Sequence, residues 1–194
     1  MSSRLRSQYF VCAVVFATLL AVSILNEAAG NDEAKIIVAQ ADGKVRFEDL
    51  PRMRVPFSPR AAVLAQEAWA DGIGVKVAET NRIGLRMVLI PLGQFVMGSP
   101  KSEAGRTTWE NPVDVKIARL FRISDTEITQ AQWRTVMDSS PWQGHAEVRE
   151  GNDYPAVYVD WKMANEFCDR LTQMERKAGR IASEDLYRLP TEAE

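Results

Sequence analysis

The sequence predicts an incomplete α+β domain with much irregular structure, and three observations carry that expectation. Residues 87–90, 94–97 and 113–117 are short apolar runs with strand composition. Residues 59–70, 129–137 and 161–174 instead carry apolar side chains at helical spacing. Between them lie proline, glycine and polar stretches too irregular for either period.

The elements follow in chain order. Residues 1–30 have the form of a signal peptide: Arg4 and Arg6 are positive, residues 11–25 are apolar, and Ala28-Ala29-Gly30 supplies small residues at a cleavage position. Export to a periplasm or the exterior is the expected outcome. The alternative is an uncleaved anchor at residues 9–25, close to the roughly 17-residue minimum for a membrane span. Residues 31–81 read as an N-terminal extension, with at most a short strand at 44–47. Within it Ser58-Pro59 is a capping residue followed by proline at the first helical position, opening a docking helix near residues 59–71 that Asp71-Gly72 should stop.

Residues 82–194 hold the main domain. The runs 87–90 and 94–97 flank Pro91-Leu92-Gly93 and read as a hairpin. Residues 101–111 are a surface loop in which Glu103 and Glu110 are expected to be solvated or hydrogen-bonded to backbone. Val113, Val115 and Ile117 alternate with Asp114 and Lys116 as in a half-buried strand. Thr129 and Gln132 have capping-box spacing, with Ile128 and Trp133 placed as a hydrophobic staple. The loop 138–153 holds Trp142, Gly144 and His145. With no second histidine or cysteine at ligand spacing, His145 reads as a surface or hydrogen-bonding residue.

Residues 154–194 give the densest signal. Pro155-Ala156-Val157-Tyr158-Val159 has the composition of a strand, and Asp160 is placed to cap the helix that follows. Ala164, Phe167, Cys168, Leu171 and Met174 form its apolar stripe, and Gly179 ends it. Arg188-Leu189-Pro190-Thr191-Glu192-Ala193-Glu194 then sets up another capping box, Thr191 with Glu194, inside the first turn of a helix. That arrangement reads as the front part of a longer domain.

Composition narrows the function. The 24 basic and 26 acidic side chains leave a formal charge of −2, with no single-sign surface for nucleic acid. The chain has two cysteines, Cys12 and Cys168. Only Cys168 outlasts removal of the leader, so the exported form contains no internal disulfide. Its place on the apolar stripe marks it as a buried, inert thiol. Neither a phosphate-cradling glycine loop nor a nucleophile elbow is visible.

Five motifs in order carry a resemblance: residues 84–99 (Gly-Leu-Arg-Met-Val-Leu-Ile-Pro-Leu-Gly-Gln-Phe-Val-Met-Gly-Ser), Glu110-Asn111-Pro112-Val113, Glu127-Ile128-Thr129-Gln130, Tyr154-Pro155-Ala156-Val157 with Val159-Asp160-Trp161, and Arg188 through Glu194. Together they resemble the sulfatase-modifying-factor family, the formylglycine-generating enzymes and their relatives. Ala68-Trp69-Ala70-Asp71 and its surroundings are similar to the extension on exported planctomycete-type members. The resemblance implies a C-type-lectin-like fold of which this chain covers the N-terminal half. It also implies, for complete members, dioxygen-dependent conversion of a substrate cysteine to formylglycine, with a sulfatase or other protein as partner. The catalytic cysteine pair, its copper and the calcium ligands would belong to the other half. No catalytic, cofactor-binding or metal residue is therefore assigned here, and this fragment is expected to be inactive. The alternative implied by the same fold is a non-catalytic, lectin-like or envelope-associated binding module, with membrane contact only through an uncleaved leader. Asp160 replaces the family's usual serine, and Asp114 stands where a histidine is common.

Overall fold

A computed structural model describes residues 9–11, 50–55 and 57–194, the first of these as backbone. The expected strand at 44–47 and most of the leader lie outside the described residues. Among the described residues, eight strands and three helices follow one another: β1 Tyr9–Val11, β2 Met53–Arg54, α1 Pro59–Ile73, β3 Ala78–Thr80, β4 Arg86–Ile90, β5 Gly93–Met97, β6 Val113–Ile117, β7 Phe121–Ser124, α2 Gln130–Met137, α3 Trp161–Lys177 and β8 Leu186–Arg188. The fold is α+β.

All three helices begin where their capping residues stand. Ser58 accepts from the Ala61 amide at 3.2 Å, and Pro59 takes the first helical position. Thr129 and Gln132 form the reciprocal box, each side chain bonded to the other's main-chain N–H. Asp160 accepts from Met163 at 2.8 Å. Helix ends were less legible: α1 runs through Gly72 to Ile73 and stops at Gly74, whose φ of 71° supplies the left-handed cap. A glycine already inside a packed helix costs only about 1 kcal/mol, so Gly72 does not stop it.

The strands form two sheets. One has the order β3-β4-β7-β1-β8 and the other β2-β5-β6. The expected hairpin between residues 87–90 and 94–97 is absent: β4 pairs with β3 and β7, whereas β5 pairs with β2 and β6. Pro91-Leu92 is a crossover that takes the chain from one sheet to the other. The hairpin is instead β5–β6, closed across the 98–112 loop, with Val96 opposite Asp114 and Gln94 opposite Lys116.

A second correction concerns residues 155–159. They join neither sheet, and only Pro155 makes a bridge, to Thr129, with the Ala156 amide donating to Ile128 at 2.8 Å. Tyr158 turns the backbone out of the extended region, at φ 57°. Pro155 has no N–H to give, so the segment is held against the start of α2 by the Ala156 amide and by the Pro155 carbonyl, which accepts from Gln130 Nε2 at 3.4 Å. Within the residues that read as a leader, Tyr9–Val11 runs parallel to and between β7 and β8.

The main core packs α2 and α3 on the larger sheet. Trp133, Trp142, Phe167, Leu171, Met87 and Tyr187 are essentially free of solvent. The Trp133 and Phe167 rings stack 5.3 Å apart at 9°. A smaller core sits under α1, where Trp69 and Ala70 meet Leu50 and Leu89. Two side-chain bonds fix that helix: Trp69 Nε1 to the Pro51 carbonyl at 2.7 Å, and Gln66 Nε2 to the Leu89 carbonyl at 3.0 Å.

Candidate functional site

Cys168 is the reactive group to place first. It faces the main core from α3, 2 % exposed and unpaired by any disulfide. A thiol there has no path to a substrate. Among the described residues no group of three or more His, Cys, Asp or Glu side chains is arranged to hold a metal. The donor set fits neither copper(I), which takes soft thiolate ligands, nor calcium, which takes six to eight oxygens.

Of the acidic residues in the 98–112 loop, Glu110 is bonded within the loop itself. Glu110 accepts from Ser99 Oγ at 2.8 Å and from the Thr107 amide and hydroxyl at 3.1 and 2.9 Å. Those bonds, the one from Ser99 foremost, hold its carboxyl below the usual range. Glu103 is exposed.

Chemistry reaches solvent on the surface built by residues 145–161. His145 stacks on Tyr158 with ring centroids 3.6 Å apart, and the Tyr158 hydroxyl donates to Glu147. His145 Nδ1 lies 3.8 Å from the same carboxylate. Sharing that hydrogen bond pushes the Tyr158 phenol up and the Glu147 carboxyl down from their ordinary values. Tyr158 is 49 % exposed and Trp161, three residues on at the start of α3, 64 %. An L-residue at positive φ carries a cost of roughly 1–2 kcal/mol, which the stack and the hydrogen bond offset. Gln130 supports this surface from beneath: fully buried, it donates to the Arg149 carbonyl at 2.9 Å and accepts from the Gly151 amide at 3.0 Å. The arrangement offers flat aromatic faces beside a carboxylate, suited to binding by stacking and hydrogen bonding.

A groove of about 370 Å³ lies elsewhere, between the residues preceding α1 and the crossover of the sheets. Val55, Phe57, Phe95, Ile117 and Phe121 make it apolar, and Glu194 closes one end. Glu194 is fixed there by a forked pairing with Arg188, which holds its carboxyl low, and by the reciprocal box with Thr191. The capping geometry read from the sequence is therefore formed.

His145 is on the surface, where the sequence put it. Its stack on Tyr158 was not legible, because Tyr158 was read inside a strand and nothing in a Val-Tyr-Val run signals a left-handed residue.

Residues 75–194 match the family described as sulfatase-modifying factor enzyme 1-like domain. Among solved structures, that of PvdO from Pseudomonas aeruginosa is similar at 24 % identity with a TM-score of 0.43, over 53 % of this chain and 44 % of that one. The chain thus spans less than half the length of that protein. No curated protein matches.

Proposed function

Because the chain belongs to the sulfatase-modifying factor enzyme 1-like domain family, we propose that it carries the N-terminal half of an exported, formylglycine-generating-type protein. The complete form would oxidise a cysteine of a sulfatase or other protein to formylglycine with dioxygen. The observation that carries this reading is the family match across residues 75–194. In this reading the half in hand is a scaffold. Its described thiol is buried, and the reactive pair comes from elsewhere in the complete domain. The leader at residues 1–30 delivers the protein across a membrane; among the described residues, no helix is long and apolar enough to span one.

The exposed His145–Tyr158 stack beside Glu147 and Trp161 favours a second reading, a module that binds an extracytoplasmic ligand without chemistry. One experiment separates the two. This chain, and the product of the reading frame continued past Glu194, are each given copper(I), dioxygen and a cysteine-containing sulfatase peptide, and aldehyde is followed by mass spectrometry. Aldehyde from the longer product alone is the expected result. Aldehyde from neither supports the binding module, and turnover by this chain by itself overturns the scaffold reading.

A further inference from the structure

Strands β7 and β8 are not neighbours. Each pairs in parallel with β1, so a gap one strand wide, with walls about 9–10 Å apart at ordinary strand spacing, runs between them. Both walls are held from behind. β7 is laddered to β4 from Phe121 to Ser124, and its Arg122, buried within the fold, donates to the Lys76 carbonyl at 2.7 Å and to Glu79 at 3.2 Å. β8 is fastened to α3. The Tyr187 amide donates to Thr172 Oγ1 at 2.8 Å, and Arg176 donates twice to the Asp185 carbonyl, at 3.1 and 2.7 Å. With the Tyr187 N–H turned to α3, the main-chain groups of Leu186 and Arg188 point to the opposite edge, where β1 lies.

The gap is therefore defined by its walls and not by what fills it. Its filler is three residues long and is separated from β7 by more than a hundred residues of chain. Two parallel edges held one strand apart make an acceptor for an extended peptide, with main-chain hydrogen bonds available on both sides. We propose that the gap between β7 and β8 is a strand-acceptor site for a single extended peptide running parallel to both walls, and that Tyr9-Phe10-Val11 is its exchangeable resident. The class of ligand is an aromatic and β-branched tripeptide core, the composition of that resident.

The test is hydrogen–deuterium exchange on the full chain. Phe10→Pro removes the central main-chain donor of the resident strand. Exchange in segments 121–124 and 186–188 is expected to rise roughly tenfold while α1 and α3 stay slow. Adding a synthetic peptide of residues 7–13, with Cys12→Ser, restores slow exchange, and the same peptide carrying Phe10→Pro does not. Unchanged exchange in the variant, or a rise that the peptide fails to reverse, overturns the proposal. Should the variant lose its helices too, the wild-type chain decides: a fluorescently labelled 7–13 peptide gains anisotropy by displacing the resident strand, and the absence of binding is again fatal.

Discussion

Arg122 has given up water on every side and kept its charge. Burial lowers its pKa, and Glu79 works against that shift. The guanidinium also reaches the Val77 and Met87 carbonyls, at 3.4 and 3.5 Å, so one side chain ties the approach to β3, β3 itself and β4 onto β7. Arg122→Met keeps the length and removes these bonds, leaving the Val77 carbonyl with its bond from the Leu89 amide; the expected loss is about 3 kcal/mol in urea unfolding, the lower end for a broken buried pair because Glu79 is half exposed. A change under about 0.5 kcal/mol, the scatter of ordinary surface substitutions, would show that the network is ornamental. The Tyr158–Glu147 bond supplies a pH signature. Glu147 sits below its ordinary 4.5, so its share of the bond is present above that pH and lost as pH falls through the lowered value. Tyr158 sits above its ordinary 10.0, so its share is complete below that pH and lost as pH rises through the raised value. Tyrosinate absorbance should show a late-ionising phenol that Glu147→Gln brings back towards 10. Cys168, by contrast, should react with a thiol reagent only after denaturant is added; rapid native labelling would contradict its burial.

At the scale of elements, the two loop-closing devices are open to substitution. Thr172 sits on α3 and accepts the buried Tyr187 amide, so Thr172→Val strands that donor at an expected cost of about 1–3 kcal/mol in thermal or urea unfolding. Thr172→Ser keeps the acceptor and should recover most of it. Gly98 ends β5 at φ 114°, and a Cβ there would lie 2.7 Å from the Asn111 carbonyl oxygen. Gly98→Ala should therefore lower the melting temperature and loosen the β5–β6 hairpin, whereas Gly105→Ala, with open space around it, pays only for its positive φ. Elements whose start depends on a side chain bonding three residues ahead were legible: Ser58, Thr129, Asp160 and Thr191 all cap as their spacing predicts. Strand partnership was not. The apolar runs around Pro91-Leu92 look alike whether they pair with each other or with separate sheets, since pairing is settled by residues dozens of positions away. Arg122 was equally hidden: in sequence it is a charge at the edge of an apolar run, and the converging carbonyls of residues 76, 77 and 87 together with Glu79 make its burial tolerable.

Across the whole molecule, two cores meet at β4, where Met87 joins the one beneath α2 and α3 and Leu89 the one beneath α1. The periodicity of the helices gave away both apolar stripes, and the domain class with them. The surface cluster was half visible: His145 stands out as the sole histidine of the chain, but its partner comes from a backbone reversal no local rule announces. A chain beginning at Asn31 should melt at a lower temperature than the full chain, because it lacks the strand between β7 and β8. Equal melting temperatures would mean that β1 contributes nothing to the sheet.

That strand also fixes when the protein can fold. Tyr9–Val11 must wait for residues 186–188, so the larger sheet cannot close until those have been made, roughly ten seconds or more after β1 emerges. Pairing across such a separation is slow in any case. Through that interval β7 is laddered to β4 alone.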